Sequence, residues 1–211
     1  LNAATGKVVT IDNVNVAVID RFDRTLTGRR IPYWSMATFL QSTEDGYPPP
    51  CYTELNERLY LQADRQDKTT AKEIVGRLLL NYLINNTDDH GRNTGLLMRN
   101  NGVWVLSPAF DINPVPLSRP EAPYVSKNYL SLAEGEIEDV RQIWDNLAAF
   151  DLTDEEGCEI FKRVIGAVRN WKTLAVKPAV RMNASDLRDY APAFSSVRMQ
   201  KAAELAARFE N

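Results

Sequence analysis

One histidine in 211 residues removes whole classes of chemistry at the outset. Dinuclear metal hydrolases need several imidazole ligands, and any Ser-His-Asp or Cys-His arrangement would have to use His90. No Gly-x-Ser-x-Gly occurs, and neither cysteine has the neighbours of an activated nucleophile. Cys51 and Cys158 stand far apart and outside any C-x-x-C spacing, so no disulfide framework or zinc site is indicated. They read as two buried thiols in a reducing cytoplasm. Positive charge is not in excess: 25 Lys and Arg against 28 Asp and Glu give a net charge of −3. That balance excludes a nucleic-acid binder of the basic kind. No apolar run approaches the roughly 20 residues that span a bilayer. The opening LNAATGKVV has neither a signal-peptide pattern nor an initiator Met, so the chain reads as a fragment of a longer one.

What is present is ample apolar content, 44%, enough for a core of one large domain or two small ones. Residues 1–12 carry little signal. The β-branched run Val14–Ile19 predicts a buried strand entering the charged loop Asp20-Arg21-Phe22-Asp23-Arg24. Ser35 is a candidate N-cap for a short helix within Ile31–Gln41, and Tyr52–Ala63 reads as another helix. Thr70-Ala71-Lys72-Glu73 has the pattern of a capping box. After it Ile74, Leu78 and Tyr82 form one apolar stripe and Val75, Leu79 and Leu83 an adjoining one, so this helix is expected to be buried nearly all round. Further on, Glu136–Phe150 has helical spacing, and Thr153-Asp154-Glu155-Glu156 is a second capping box. It opens a helix with Ile160, Phe161, Val164, Ile165, Val168 and Trp171 on one side. Asp189–Phe194 (DYAPAF) reads as a turn and Met199–Phe209 as a terminal amphipathic helix.

The central helix leads into Asn85–Asn93, NNTDDHGRN, in which Asp88 and Asn93 stand as D-x-x-x-x-N. Gly95–Arg99 and Val103–Leu106 flank Asn100-Asn101-Gly102, a hairpin turn that would bring the chain back to Phe110-Asp111-Ile112. An Asp, an Asn and a second Asp form the set that phosphoryl transfer uses. One carboxylate takes the hydroxyl proton, while an amide oxygen and another carboxylate hold Mg²⁺ on the ATP phosphates. The competing reading is a polar turn after a helix, since Asn, Asp and Gly also supply caps and positive-φ positions. Around and after Asp111 the prolines at 108, 114, 116, 120 and 123 exclude regular helix over Ser107–Pro123.

TDDHGRN followed by SPAFDINP resembles the HipA-type serine/threonine kinases, toxins of bacterial toxin–antitoxin pairs, with their T-D-x-H-x-x-N loop and P-x-[YF]-D-[IV] segment. The run ending in Asp20-Arg21-Phe22 resembles that family's V-x-E-R-F-D-R hinge, with Asp where Glu is usual. The resemblance covers roughly residues 14–210. It implies a mostly α fold with a small β component: the helical C-terminal lobe of a protein-kinase-like fold, with a hinge strand and a catalytic-site β-hairpin. Residues 1–24 would be the hinge strand and a remnant of the N-terminal lobe, and 25–211 the helical lobe.

By the same resemblance Asp88 is the general base, with His90 beside the phosphates. Asn93 and Asp111 are the Mg²⁺ ligands, and Asp20, Arg21, Phe22 and Phe110 line the ATP site. It implies ATP and Mg²⁺ as cofactors, a protein substrate that in known cases is an aminoacyl-tRNA synthetase, and a HipB-like DNA-binding antitoxin as partner. No nucleic-acid or membrane contact by this chain is expected.

The Gly-rich phosphate loop and its strand lysine are missing from the sequence, and nothing marks Lys7 as that lysine. The expectation is therefore a lobe that is inactive alone, its N-terminal partner preceding residue 1. Two other readings remain. One is a non-catalytic, antitoxin-docking lobe. The other is a lipid or small-molecule kinase, suggested by the Asp-x-His order and by a likeness to the phosphatidylinositol kinases.

Overall fold

The computed structural model describes residues 1–12, 14–43, 48–62, 67–116, 124, 127–194 and 196–208. Its centre is α3 (Thr69–Leu83), which packs against α2 (Tyr52–Tyr60), α4 (Val140–Asp145), α5 (Asp154–Arg169) and α8 (Val197–Ala207). Both expected stripes of α3 are buried, Ile74, Leu78 and Tyr82 on one and Val75, Leu79 and Leu83 on the other. Each such side chain contributes about 1.5–3 kcal/mol of burial. Truncating Leu79, which is 0% exposed, would cost about 2–5 kcal/mol, cavity included.

The start of α3 differs from the sequence reading. Asp67 Oδ1 accepts from the Thr69 amide at 2.9 Å, so the helix begins at Thr69 and Thr70 lies inside it. Glu73 is then free to accept from Arg77 Nε at 2.9 Å and from the Asn2 amide at 3.0 Å. The second box forms as expected: Thr153 Oγ1 accepts from the Glu156 amide and Glu156 from the Thr153 amide, opening α5.

Three small antiparallel sheets surround the helices. In the first, β1 (Gly6–Ile11) pairs with β2 (Val14–Ile19), from Gly6 opposite Ile19 to Ile11 opposite Val14. The strand at Val14–Ile19 forms, but all six residues are exposed rather than buried. A two-stranded ribbon buries little by itself, whatever its β-branched content. The second sheet has the order β3 (Tyr33–Ser35), β4 (Gly95–Met98), β5 (Trp104–Leu106). Its hairpin turns at Gly102, whose φ of +81° suits glycine, and Trp34 stacks on Trp104 across it at 4.4 Å. Ser35 caps the short α1 (Met36–Phe39), accepting from the Thr38 amide at 3.2 Å.

The third sheet, β6 (Tyr129–Ser131) with β7 (Gly135–Glu136), takes the beginning of the helix expected from Glu136. That helix instead starts after Asp139, which with Gln142 makes a capping box for α4, and continues as a 3₁₀ turn at Leu147–Phe150. Beyond α5 come α6 (Trp171–Ala175) and α7 (Ala184–Phe194). Residues 189–194 are thus helix and not a turn. Asn183 Oδ1 caps α7 through the Ser185 and Asp186 amides, and Pro192, inside the last turn, leaves the helix one backbone donor short. Phe194 stacks on Trp171 at 4.3 Å. The segment 107–116 holds neither helix nor regular strand, as its prolines require; Pro120 and Pro123 lie outside the described residues. Cys51 and Cys158 are buried free thiols.

Candidate functional site

The loop after α3 hangs on two buried asparagines. Asn85 takes the left-handed conformation, φ +57°, that ends the helix. Its side chain donates to Val115 O at 2.9 Å and accepts from Arg198 at 2.7 Å. Asn86 doubles back on the helix, its amide bonding Asn81 O at 2.8 Å and its side chain Asn81 Oδ1 at 3.1 Å. The next anchor is Asp89, 4% exposed, whose oxygens accept from the Tyr52 hydroxyl at 2.7 and 2.8 Å. Burial pushes the Asp89 carboxyl up, and these hydrogen bonds oppose that. A Cβ at Gly91 would stand 2.7 Å from Pro50 Cγ, so the loop lies against the start of α2 as only glycine allows.

Between these anchors Asp88 turns outward. Its carboxylate meets the ammonium of Lys127 and lies 4.0 Å from His90 Nε2. The Lys127 hydrogen bond holds the Asp88 carboxyl below its ordinary value. Among the described residues His90 Nδ1 is buried with no hydrogen-bond partner. Asn93 ties the loop together, its amide bonding His90 O at 2.8 Å and its Nδ2 donating to Asp88 O at 3.0 Å. With Nδ2 so committed, Oδ1 is the end of the Asn93 amide left to accept.

Asn93, Phe110 and Asp111 line one small polar pocket together with Asp89, Asn81 and Arg77. Its free volume of about 10 Å³ is on the scale of one water molecule. Asp88 and His90 are not part of that wall; Asn93 connects them to it. Asp111 has φ +56°, and its Oδ1 accepts from Asn113 Nδ2 at 2.8 Å. The segment before it is fixed from two sides. The Asn2–Ala4 segment bridges to Ala109, and buried Arg77 donates to Ser107 O at 2.8 Å. Among the described residues no three His, Cys, Asp or Glu side chains converge on one point. An amide oxygen with one carboxylate is instead a donor set for Mg²⁺, which prefers oxygen and keeps several waters.

The residues expected to form the hinge divide. Phe22 packs on Phe110 at 5.6 Å and on Tyr33 at 6.2 Å, which joins it to the Asp111 segment. Asp20 bonds back to Thr5, its carboxylate accepting from Oγ1 at 2.9 Å. The exposed Arg21 is engaged with Asp23 at 2.6 Å, and Asp23 is held down to a pKa of about 2 by that bond. A larger apolar cavity of about 540 Å³ lies behind Phe110 and Ile112, reaching Leu80, Trp171 and Phe194.

Sequence reasoning missed Asp89, Arg77, Lys127 and Asn128. Asp89 looks like one more polar loop residue, and its only signal is the doubled acid in Thr87-Asp88-Asp89. Asn128, 0% exposed, donates to the Tyr52 hydroxyl at 3.1 Å and to Asp89 Oδ1 at 3.3 Å, so its place depends on a partner 39 residues away.

The model of the HipA-like C-terminal domain family matches residues 1–172. Among solved structures, the chain is similar to one in the Shewanella oneidensis MR-1 toxin–antitoxin complex of HipA, HipB and operator DNA. The TM-score is 0.59 at 16% identity, over 99% of this chain and 52% of that one. The likeness is one of fold, and this chain spans about half the length of the other. No curated protein matches. With the family's model matching residues 1–172, well over half of its length, the chain belongs to the HipA-like C-terminal domain family.

Proposed function

We propose that this chain is the helical C-terminal lobe of an ATP-dependent serine/threonine protein kinase of HipA type, a growth-arresting toxin of a bacterial toxin–antitoxin pair. The observation that carries the reading is the junction at Asn93. This side chain shares a pocket with Asp111 while its Nδ2 holds the backbone of Asp88. That arrangement supports Asp88 as the base and Asn93 and Asp111 as the metal donors, carried on one loop and one pinned segment.

ATP with Mg²⁺ supplies, when bound, the γ-phosphoryl group and the positive charge that offsets the growing charge on the leaving oxygens. Asp88 accepts the proton of the substrate hydroxyl, for which its exposed, ionised carboxylate is suited. Asn93 Oδ1 and the Asp111 carboxylate would hold the ion. Phe22 and Phe110 give an apolar face on the nucleotide side. The unsatisfied His90 Nδ1 is in keeping with a phosphate-facing histidine. The phosphate clamp belongs to the part of the protein outside this chain, so these residues alone are expected to bind MgATP no tighter than about millimolar. By analogy with the family, the proposed substrate is a protein, an aminoacyl-tRNA synthetase in known cases, and the proposed partner a HipB-like antitoxin. Two buried free thiols are the observation that supports a cytoplasmic setting. Among the described residues no helix is long and apolar enough to cross a membrane.

Calorimetric titration of ATP into the full-length protein, with and without Mg²⁺, tests the reading. Asp111→Asn is expected to weaken Mg²⁺-dependent binding by about tenfold or more and to leave metal-free binding unchanged. ATP affinity indifferent to Mg²⁺, to Asp111→Asn and to Asn93→Ala would refute it.

A further inference from the structure

Lys127 lies outside every motif of the sequence, 39 residues from Asp88, yet its ammonium rests on the Asp88 carboxylate. Both side chains are about half exposed, 52% and 55%, and such a surface ion pair adds little to stability. The surrounding structure is nevertheless built to place it. The Lys127 amide donates to Asp89 O at 3.3 Å, on the loop that carries Asp88. The following Asn128 is fully buried and bonds both Tyr52 and Asp89, and the Tyr129 amide bonds Pro50 O at 3.0 Å. The root of the lysine is therefore fixed to the catalytic loop while its flexible stem leaves the tip free to move.

We propose that Lys127 is the cation that meets the transferring phosphoryl group, leaving Asp88 for it as the nucleotide binds. The inference rests on the kinase reading above. In that step the hydroxyl proton passes to an Asp88 carboxylate oxygen and the hydroxyl oxygen bonds to phosphorus. The bond from phosphorus to the diphosphate oxygen breaks, its electron pair staying on that oxygen. Lys127 keeps its protons throughout. In the resting state the same ammonium keeps Asp88 ionised; in the reacting state it balances charge on the phosphoryl oxygens, where a preorganised cation is most effective.

The test compares two nucleotides in the full-length protein. MgAMP-PNP carries a non-transferable γ-phosphoryl group and MgADP carries none. By calorimetry, Lys127→Met is expected to weaken MgAMP-PNP binding about tenfold while leaving MgADP unchanged, and Lys127→Arg to restore most of the loss. Equal loss for both nucleotides would mean a structural role, and no loss for either would mean a surface ion pair; each overturns the inference while leaving the kinase reading standing. Wild-type protein that binds neither nucleotide would overturn both.

Discussion

The Tyr52 hydroxyl sits 2.7 and 2.8 Å from the two carboxylate oxygens of Asp89, joining the first residue of α2 to the loop that carries Asp88. Both residues are buried, and Asn128 closes the triangle. The loop is therefore held by a polar network inside the protein while Asp88 faces outward, which is the rigid support that the proposed catalytic role needs.

Removing the acceptor should expose how much that network carries. Asp89→Ala leaves the Tyr52 hydroxyl and the Asn128 amide buried without their partner, at a cost of about 2–4 kcal/mol. Asp89→Asn keeps an oxygen for Tyr52 and removes a buried charge, so its loss should stay below about 1 kcal/mol. Urea unfolding of this chain measures both. Equal losses in the two variants would mean that the charge, and not the hydrogen bonding, secures the loop.

Acid stability should depend on Glu156. Its carboxyl is lowered from 4.5 to about 2, chiefly by the hydrogen bond from Lys72 and then by the Thr153 amide. The unfolded chain thus binds this proton more readily than the folded one. The stabilisation is present above the unfolded value and is lost as pH falls from about 4.5 through about 2. Asp89, whose carboxyl is raised, works in the opposite direction, its contribution growing as pH falls. Glu156→Gln keeps a capping box but not the titration or the ion pairs with Lys68 and Lys72. The stability difference between wild type and Glu156→Gln, measured by urea unfolding, should shrink between about pH 6 and about pH 3. A difference that is constant over that range would show that Glu156 is not the titrating group.

How much was legible in the sequence differs from element to element for physical reasons. The β4–β5 hairpin was readable because Asn-Asn-Gly specifies a turn locally, and α3 because a helix buried on both stripes leaves a periodic trace. The two capping-box patterns show the limit. Thr153 and Glu156 form theirs, whereas at Thr70 the neighbouring Asp67 reaches the Thr69 amide first and Glu73 turns to Arg77 and Asn2. Val14–Ile19 reads as buried because β-branched residues favour strands anywhere, but burial depends on what lies over them. At the site, Asp88, Asn93 and Asp111 were visible as a spaced set. Lys127, Asn128 and Tyr52 act through contacts across 37 to 76 residues, and no local pattern encodes those.

The central claim is that Asp88 takes the proton of a hydroxyl acceptor in phosphoryl transfer. The measurement that meets it most directly is transfer of labelled γ-phosphate from ATP to protein, by full-length wild type and by Asp88→Asn, with nucleotide affinity measured alongside. Asp88→Asn should transfer at least about 100-fold more slowly, because the amide cannot accept the proton, while binding MgATP as wild type does. Transfer by Asp88→Asn at the wild-type rate would contradict the account.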